Sequence, residues 1–289
     1  MYYALVILST VLLSVEFCSN KTYQKWAGVA PAASFAYNAL LGAFQIPVFL
    51  VLNKFRFEFT PFSAVMAFCM AICALLYTVI GLKMMSSGKM TIYTLFLMSG
   101  GMTLPYLFGI VFWNEAPSVL RIFGILMILG GVIIANTGKE RPAWKFILLG
   151  VLVFVLNGCV SILSKAHQIE AVRATVSSAS FGMLSAISTA LFSGCAIAVF
   201  AKKTPEDVRA IPMRRVVPLI AGTAIIHGIS YLLQLIGAVH LPATVLYPII
   251  TGGAIVFTAF AGWIAFREKP NARMWIGIVL CFIGTCLFV

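Results

Sequence analysis

Carboxylates are scarce in this chain: eight Asp and Glu occur among 289 residues, and only one, Asp207, is an aspartate. An aspartate-pair intramembrane protease or an aspartate–metal phosphotransferase therefore has no ligands to work with. The three His (His167, His227, His240) fall on different segments, with no His-Glu-x-x-His pattern. Lys89 and Lys139 each follow a Gly, but the rest of a phosphate loop is missing, which argues against ATP-driven transport by this chain alone. The seven Cys all lie inside apolar runs and form no Cys-x-x-Cys pair, so packing is expected of them and neither a disulfide nor a metal site is. No cofactor motif is present and none is expected. Strand-like alternation of period two is missing, which sets a membrane barrel aside. With so little site chemistry, an enzyme is not expected.

Charge of either sign is also thin, at 10% of residues, whereas 62% are hydrophobic and the mean hydropathy is +1.04. Soluble domains carry roughly 25% charged residues, so the bilayer is the expected partner. Apolar runs long enough to cross a membrane as helices recur ten times, at about 2–20, 31–52, 62–82, 90–113, 118–136, 144–164, 176–200, 216–238, 243–266 and 271–289. The first run opens Met-Tyr-Tyr-Ala, without a basic start or a small-residue cleavage site, and is read as a retained span. The net charge of +12 does not indicate nucleic acid, because the Lys and Arg sit singly or in pairs between the runs.

Two stretches 153 residues apart share the pattern Glu-x-Pro-x6-Gly-x6-Gly: Glu115, Pro117, Gly124, Gly131 and Glu268, Pro270, Gly277, Gly284. Each follows a Gly-Gly pair, Gly100–Gly101 or Gly252–Gly253. A polar interruption at 137–145 separates five runs from five, giving repeats 1–138 and 139–289. An odd number of spans per copy turns the second copy over, so the expected fold is an all-α integral membrane protein with ten helices in a 5+5 inverted repeat.

The run Leu241-Pro242-Ala243-Thr244-Val245-Leu246-Tyr247-Pro248, then Gly252–Gly253, then Phe266-Arg267-Glu268, resembles the last third of the drug/metabolite transporter superfamily, EamA type. The resemblance implies that helices one to four and six to nine surround a central cavity, with five and ten outside it. It also implies a secondary transporter in the cytoplasmic (inner) cell membrane, and a small-molecule substrate. A monomer is expected, with a dimer as the alternative.

Polar residues inside the runs are the candidate substrate site, because each is costly in lipid unless it faces a cavity or a partner. Helix eight places Thr223, His227, Ser230, Tyr231 and Gln234 at helical spacing. Helix two adds Tyr37, Asn38 and Gln45, helix six Asn157 and Ser161, and helices four and nine Ser99, Thr103, Tyr247 and Thr251. Glu16, with Asn20 one turn on, is the candidate for coupling, although pairing of Glu16 with Lys21 at the interface is the rival reading. The small multidrug carriers of the same superfamily also use a Glu in their first helix. Glu115 and Glu268, with Lys21 and Lys165 at matching helix ends, are expected to be structural or gate-closing residues.

The expected activity is alternating-access transport of a small polar or amphipathic metabolite, such as an amino acid or a nucleobase-like compound. A phosphate ester would want clustered Arg or Lys in the cavity. The alternative is a channel-like or scaffold membrane protein without alternating access. Fifteen of the twenty Lys and Arg fall in the loops after spans one, three, five, seven and nine, which marks that side as cytoplasmic and both termini as opposite to it.

Overall fold

The computed structural model describes residues 1–28, 30–86, 90–136, 143–267 and 271–289, and among these it is helical throughout, without a strand. In chain order the helices are α1 (Tyr2–Ala27), α2 (Pro31–Leu52), α3 (Pro61–Ser86), α4 (Met90–Phe112), α5 (Val119–Asn136) and α6 (Trp144–Ile169). Then follow α7 (Ser178–Lys203), α8 (Pro205–Arg209), α9 (Met213–His240), α10 (Ala243–Phe266) and α11 (Ala272–Cys286). Ten of them coincide with the ten apolar runs. The addition is α8, one five-residue turn in the polar segment between α7 and α9.

Among the described residues, eight helices are long and apolar enough to cross a membrane. The other two, α5 and α11, have 18 and 15 residues and are also apolar. Several helices outrun their apolar stretch. Helix α1 continues to Ala27 and α6 to Ile169, which moves Lys21 and Lys165 from helix ends to positions inside the helix. In α1, Ser19 and Thr22 donate to carbonyls one turn back, at 3.1 and 2.9 Å, so polar side chains are satisfied without ending the helix.

The pairing of α5 with α11 explains the four glycines of the repeated pattern. A methyl group on Gly131 would stand 2.6 Å from the Gly277 carbonyl oxygen, and one on Gly277 would stand 2.6 Å from that of Gly131. Gly124 and Gly284 are related in the same reciprocal way, at 2.9 and 2.8 Å. The helices thus meet backbone to backbone, with buried Ile128 and Cys281 between the two contacts. Small residues permit such an approach in lipid, where close packing replaces the hydrophobic effect as the driving force.

Other neighbours include α1 against α9 and α10, α6 against α3 and α4, α2 against α7 and α9, and α7 against α3. One cluster, around Met102, Ile128, Tyr247, Ile249 and Cys281, ties α4, α5, α10 and α11 together. Another, around Tyr23, Tyr37, Ile211 and Ile220, ties the end of α1 to α2 and the start of α9.

Candidate functional site

Helices α1 and α9 pack along each other, and this brings together two ionisable groups that lie 211 residues apart. His227 Nδ1 and Glu16 Oε1 are 2.7 Å apart. The side chains keep 29% and 15% of their exposure, so the pair is sheltered inside the bundle yet reachable. The second carboxylate oxygen, Glu16 Oε2, is buried without a hydrogen-bond partner. Glu16 therefore turns toward α9. Lys21, like Lys25, lies over the Phe266 ring, at 4.8 and 4.2 Å respectively.

Aromatic and polar groups surround the pair. The Tyr231 ring is 6.1 Å from that of His227 and 6.4 Å from Phe49. The Tyr37 and Tyr77 hydroxyls lie within electrostatic range of Glu16. Tyr37 Oη, Gln45 Nε2 and Thr103 Oγ1 are buried without a hydrogen-bond partner among the described residues. Buried polar atoms are normally satisfied by protein or water. Open donors and acceptors of this kind can orient a small polar ligand.

The other predicted site residues divide by partner. Ser230 donates to the Ser9 carbonyl at 2.8 Å, Thr223 donates within its own helix, and Gln234 donates to Ser230 at 3.3 Å. That side of the α9 stripe is a packing seam with α1. Asn157 donates to the Leu97 carbonyl at 2.7 Å and lies under Gly101, fastening α6 to α4. The Tyr247 hydroxyl donates to the Ser161 carbonyl, joining α10 to α6. Asn20 accepts from Gln24 at 3.1 Å, away from Glu16's partner. Asn38, Ser99 and Thr251 are half-buried.

A second polar cluster closes the end of the bundle that carries the α9–α10 turn. Helix α4 finishes with Asn114 in the left-handed region (φ 53°), which folds Glu115 back so that its N–H donates to the Gly109 carbonyl at 3.0 Å. The Glu115 carboxylate then accepts from the backbone N–H groups of Ala243 and Thr244, both at 2.7 Å, at the start of α10. Across the same turn, Lys165 donates to the carbonyls of Ala238 and Leu241, the latter at 2.6 Å. An acid thus caps the N-terminus of α10 and a base caps the C-terminus of α9, each complementing the helix dipole. Glu268 lies outside the described residues. The residue before it, Arg267, adopts the same left-handed conformation as Asn114 (φ 56°).

Sequence reasoning missed the neighbouring hydrogen-bond cluster. His167, on a different segment from the other two His, is buried between Phe62 and Phe181 and bonds to Ser63 Oγ at 2.8 Å. Ser177 N–H donates to Glu58 at 2.6 Å, and Asn53 donates to Ser180 at 2.8 Å. These contacts latch the α2–α3 loop onto the α6–α7 loop. The Ser177 N–H holds the Glu58 carboxyl below the usual carboxylate range. The signal was the density of Ser and Asn around the two loops, which has no periodicity to flag it. No group of His, Cys, Asp and Glu among the described residues is arranged to hold a metal ion.

The family model described as the EamA-like transporter family matches residues 141–289. Spermidine export protein MdtI from Shigella dysenteriae serotype 1 (strain Sd197) and from Shigella flexneri are each 34% identical over 71 residues. The match covers 25% of this chain and spans 63% of the length of those relatives. A solved crystal structure superposes with a TM-score of 0.75 over 99% of this chain and 95% of its own, at 15% identity. That likeness bears on the fold alone.

Proposed function

Because the chain belongs to the EamA-like transporter family, we propose that it carries a small polar or amphipathic metabolite across the membrane by alternating access around Glu16 and His227. It is a membrane transporter of the drug/metabolite type. The observation that carries the reading is the Glu16–His227 pair, half-sheltered between α1 and α9, with Glu16 Oε2 buried and without a hydrogen-bond partner. Amino acids and nucleobase-like compounds offer the donors and acceptors this lining would satisfy. The membrane is the cytoplasmic one in this proposal.

Alternating access needs two halves able to exchange roles, and we take these to be residues 1–138 and 139–289, as a 5+5 inverted repeat. The reciprocal glycine contacts support it: exchanging the halves turns the Gly131–Gly277 contact into the Gly284–Gly124 contact. Neighbour relations do the same, since α1 against α9 and α10 matches α6 against α3 and α4. In this scheme the Glu115–Lys165 cluster holds one end of the bundle shut. Lys21 and Glu268 are their counterparts in the sequence repeat.

A narrower reading, transport of protonated amines, is favoured by the open Glu16 Oε2 and its aromatic surroundings. An ammonium group could replace His227 on the carboxylate and rest against Tyr37 and Tyr231. The resemblance to spermidine export proteins supports it. Counterflow in proteoliposomes separates the readings. Saturable exchange with amino acids or nucleobases supports the first, and saturable exchange confined to amines supports the second. Flux linear in concentration for every compound would refute a carrier and favour a channel.

A further inference from the structure

An apolar cavity of about 350 Å³ lies between α2, α7, α8 and α9, apart from the Glu16–His227 pair. Its lining is Ala36, Ala39, Leu40, Ile197, Val208, Ile211 and Met213, with no polar side chain among them. The volume is at the small end of the roughly 300–1,000 Å³ typical of ligand sites. Such sites ordinarily place a few polar groups to orient a metabolite, and here the walls have none. The rim is different. Arg209 follows the lining residue Val208, and Arg214 and Arg215 follow Met213; all three are exposed, and among the described residues none pairs with a carboxylate. The segment 202–215 holds five Lys and Arg against two carboxylates, Glu206 and Asp207.

We propose that this cavity holds an acyl chain of an anionic phospholipid from the surrounding bilayer, with its phosphate between Arg209, Arg214 and Arg215. The two halves of the site match the two halves of such a molecule. An alkyl chain gains by leaving one apolar medium for another only if the walls fit closely, so the arginines must supply selectivity, and they select charge. Zwitterionic lipids of the same chain length would enter less well. A bound chain would fill the space between α2 and α9 and brace the α7–α8–α9 connection.

The test uses the full-length protein, delipidated in detergent, and titrated with phosphatidylglycerol, with phosphatidylcholine of the same chains, or with inorganic phosphate. Melting temperature and native mass spectrometry are the readouts. Phosphatidylglycerol is expected to raise the melting temperature by several degrees and to remain bound, with little effect from the other two. Arg214→Gln combined with Arg215→Gln should weaken that binding at least fivefold. Ala39→Phe should do so by filling the cavity, and Met213→Trp at its exposed mouth serves if the former fails to fold. Equal effects of the two lipids, or an unchanged phosphatidylglycerol effect in the arginine and cavity variants, would overturn the proposal. Stabilisation by phosphate alone would overturn it as well, by removing the need for a chain.

Discussion

Removing the Glu115 carboxylate should destabilise the protein by several kcal/mol, far more than its place in a loop would suggest. It accepts two backbone bonds of 2.7 Å, from Ala243 and Thr244. Those residues are 0% and 2% exposed, so water does not readily replace the lost acceptor. Leaving a buried donor unsatisfied costs about 1–3 kcal/mol, so Glu115→Ala should cost on the order of 2–6 kcal/mol. Glu115→Gln keeps one carbonyl oxygen and should lose roughly half of that. Gly109→Ala provides an independent route to the same interaction, because its methyl group would stand 2.8 Å from Glu115 Oε2 and push the carboxylate off its donors. If both changes act through those bonds, the double variant Glu115→Ala/Gly109→Ala should cost clearly less than the sum of the two singles. Unfolding in mixed micelles at increasing denaturing detergent gives the free energies. A loss below about 1 kcal/mol for Glu115→Ala, or full additivity with Gly109→Ala, would refute the reasoning. In transport, Glu115→Gln should lower the rate and leave substrate affinity nearly intact.

Three other perturbations are informative. Gly131→Ala should destabilise by about 1–3 kcal/mol because its methyl group meets the Gly277 carbonyl, whereas Gly130→Ala meets nothing within 4 Å and should be tolerated in the same unfolding assay. The Glu58 carboxyl is held low by the Ser177 N–H, so its contribution is present above the ordinary carboxylate pKa and is lost as pH falls through the depressed folded value. Glu58→Gln should therefore lower the melting temperature near neutrality and flatten its decline in acid; an unchanged acid limb would contradict this. A C-terminal reporter that fluoresces only in the cytoplasm should stay dark, as the distribution of Lys and Arg predicts, and a bright signal would reverse the orientation.

Hydropathy made the helices legible because each span must satisfy its backbone internally and present apolar side chains to lipid. It also overlooked their extensions. Hydropathy places Lys21 and Lys165 at helix ends because charge interrupts an apolar run, but charge does not interrupt a helix. Glu16 and His227 were both singled out by their depth in apolar runs, and their pairing was beyond the sequence, since contact between α1 and α9 is a tertiary fact. The repeated Glu-x-Pro pattern singles out Glu115 in the sequence. Its partners are not legible there, since backbone N–H groups leave no trace in residue identity. The Ser63–His167 contact was missed for a related reason: a buried His held by Ser and two Phe rings looks, in one dimension, like an isolated polar residue near a helix end.

The central claim is that substrate and coupling both act at the Glu16–His227 pair, and the pH profile of counterflow in proteoliposomes tests it most directly. The parent should exchange substrate with a rate that depends on pH. Glu16→Gln should retain saturable exchange and lose that dependence, and His227→Ala should lose substrate-induced stabilisation while still folding. Parent-like pH dependence in Glu16→Gln together with parent-like binding in His227→Ala would show the pair to be a packing seam, and the claim would fail.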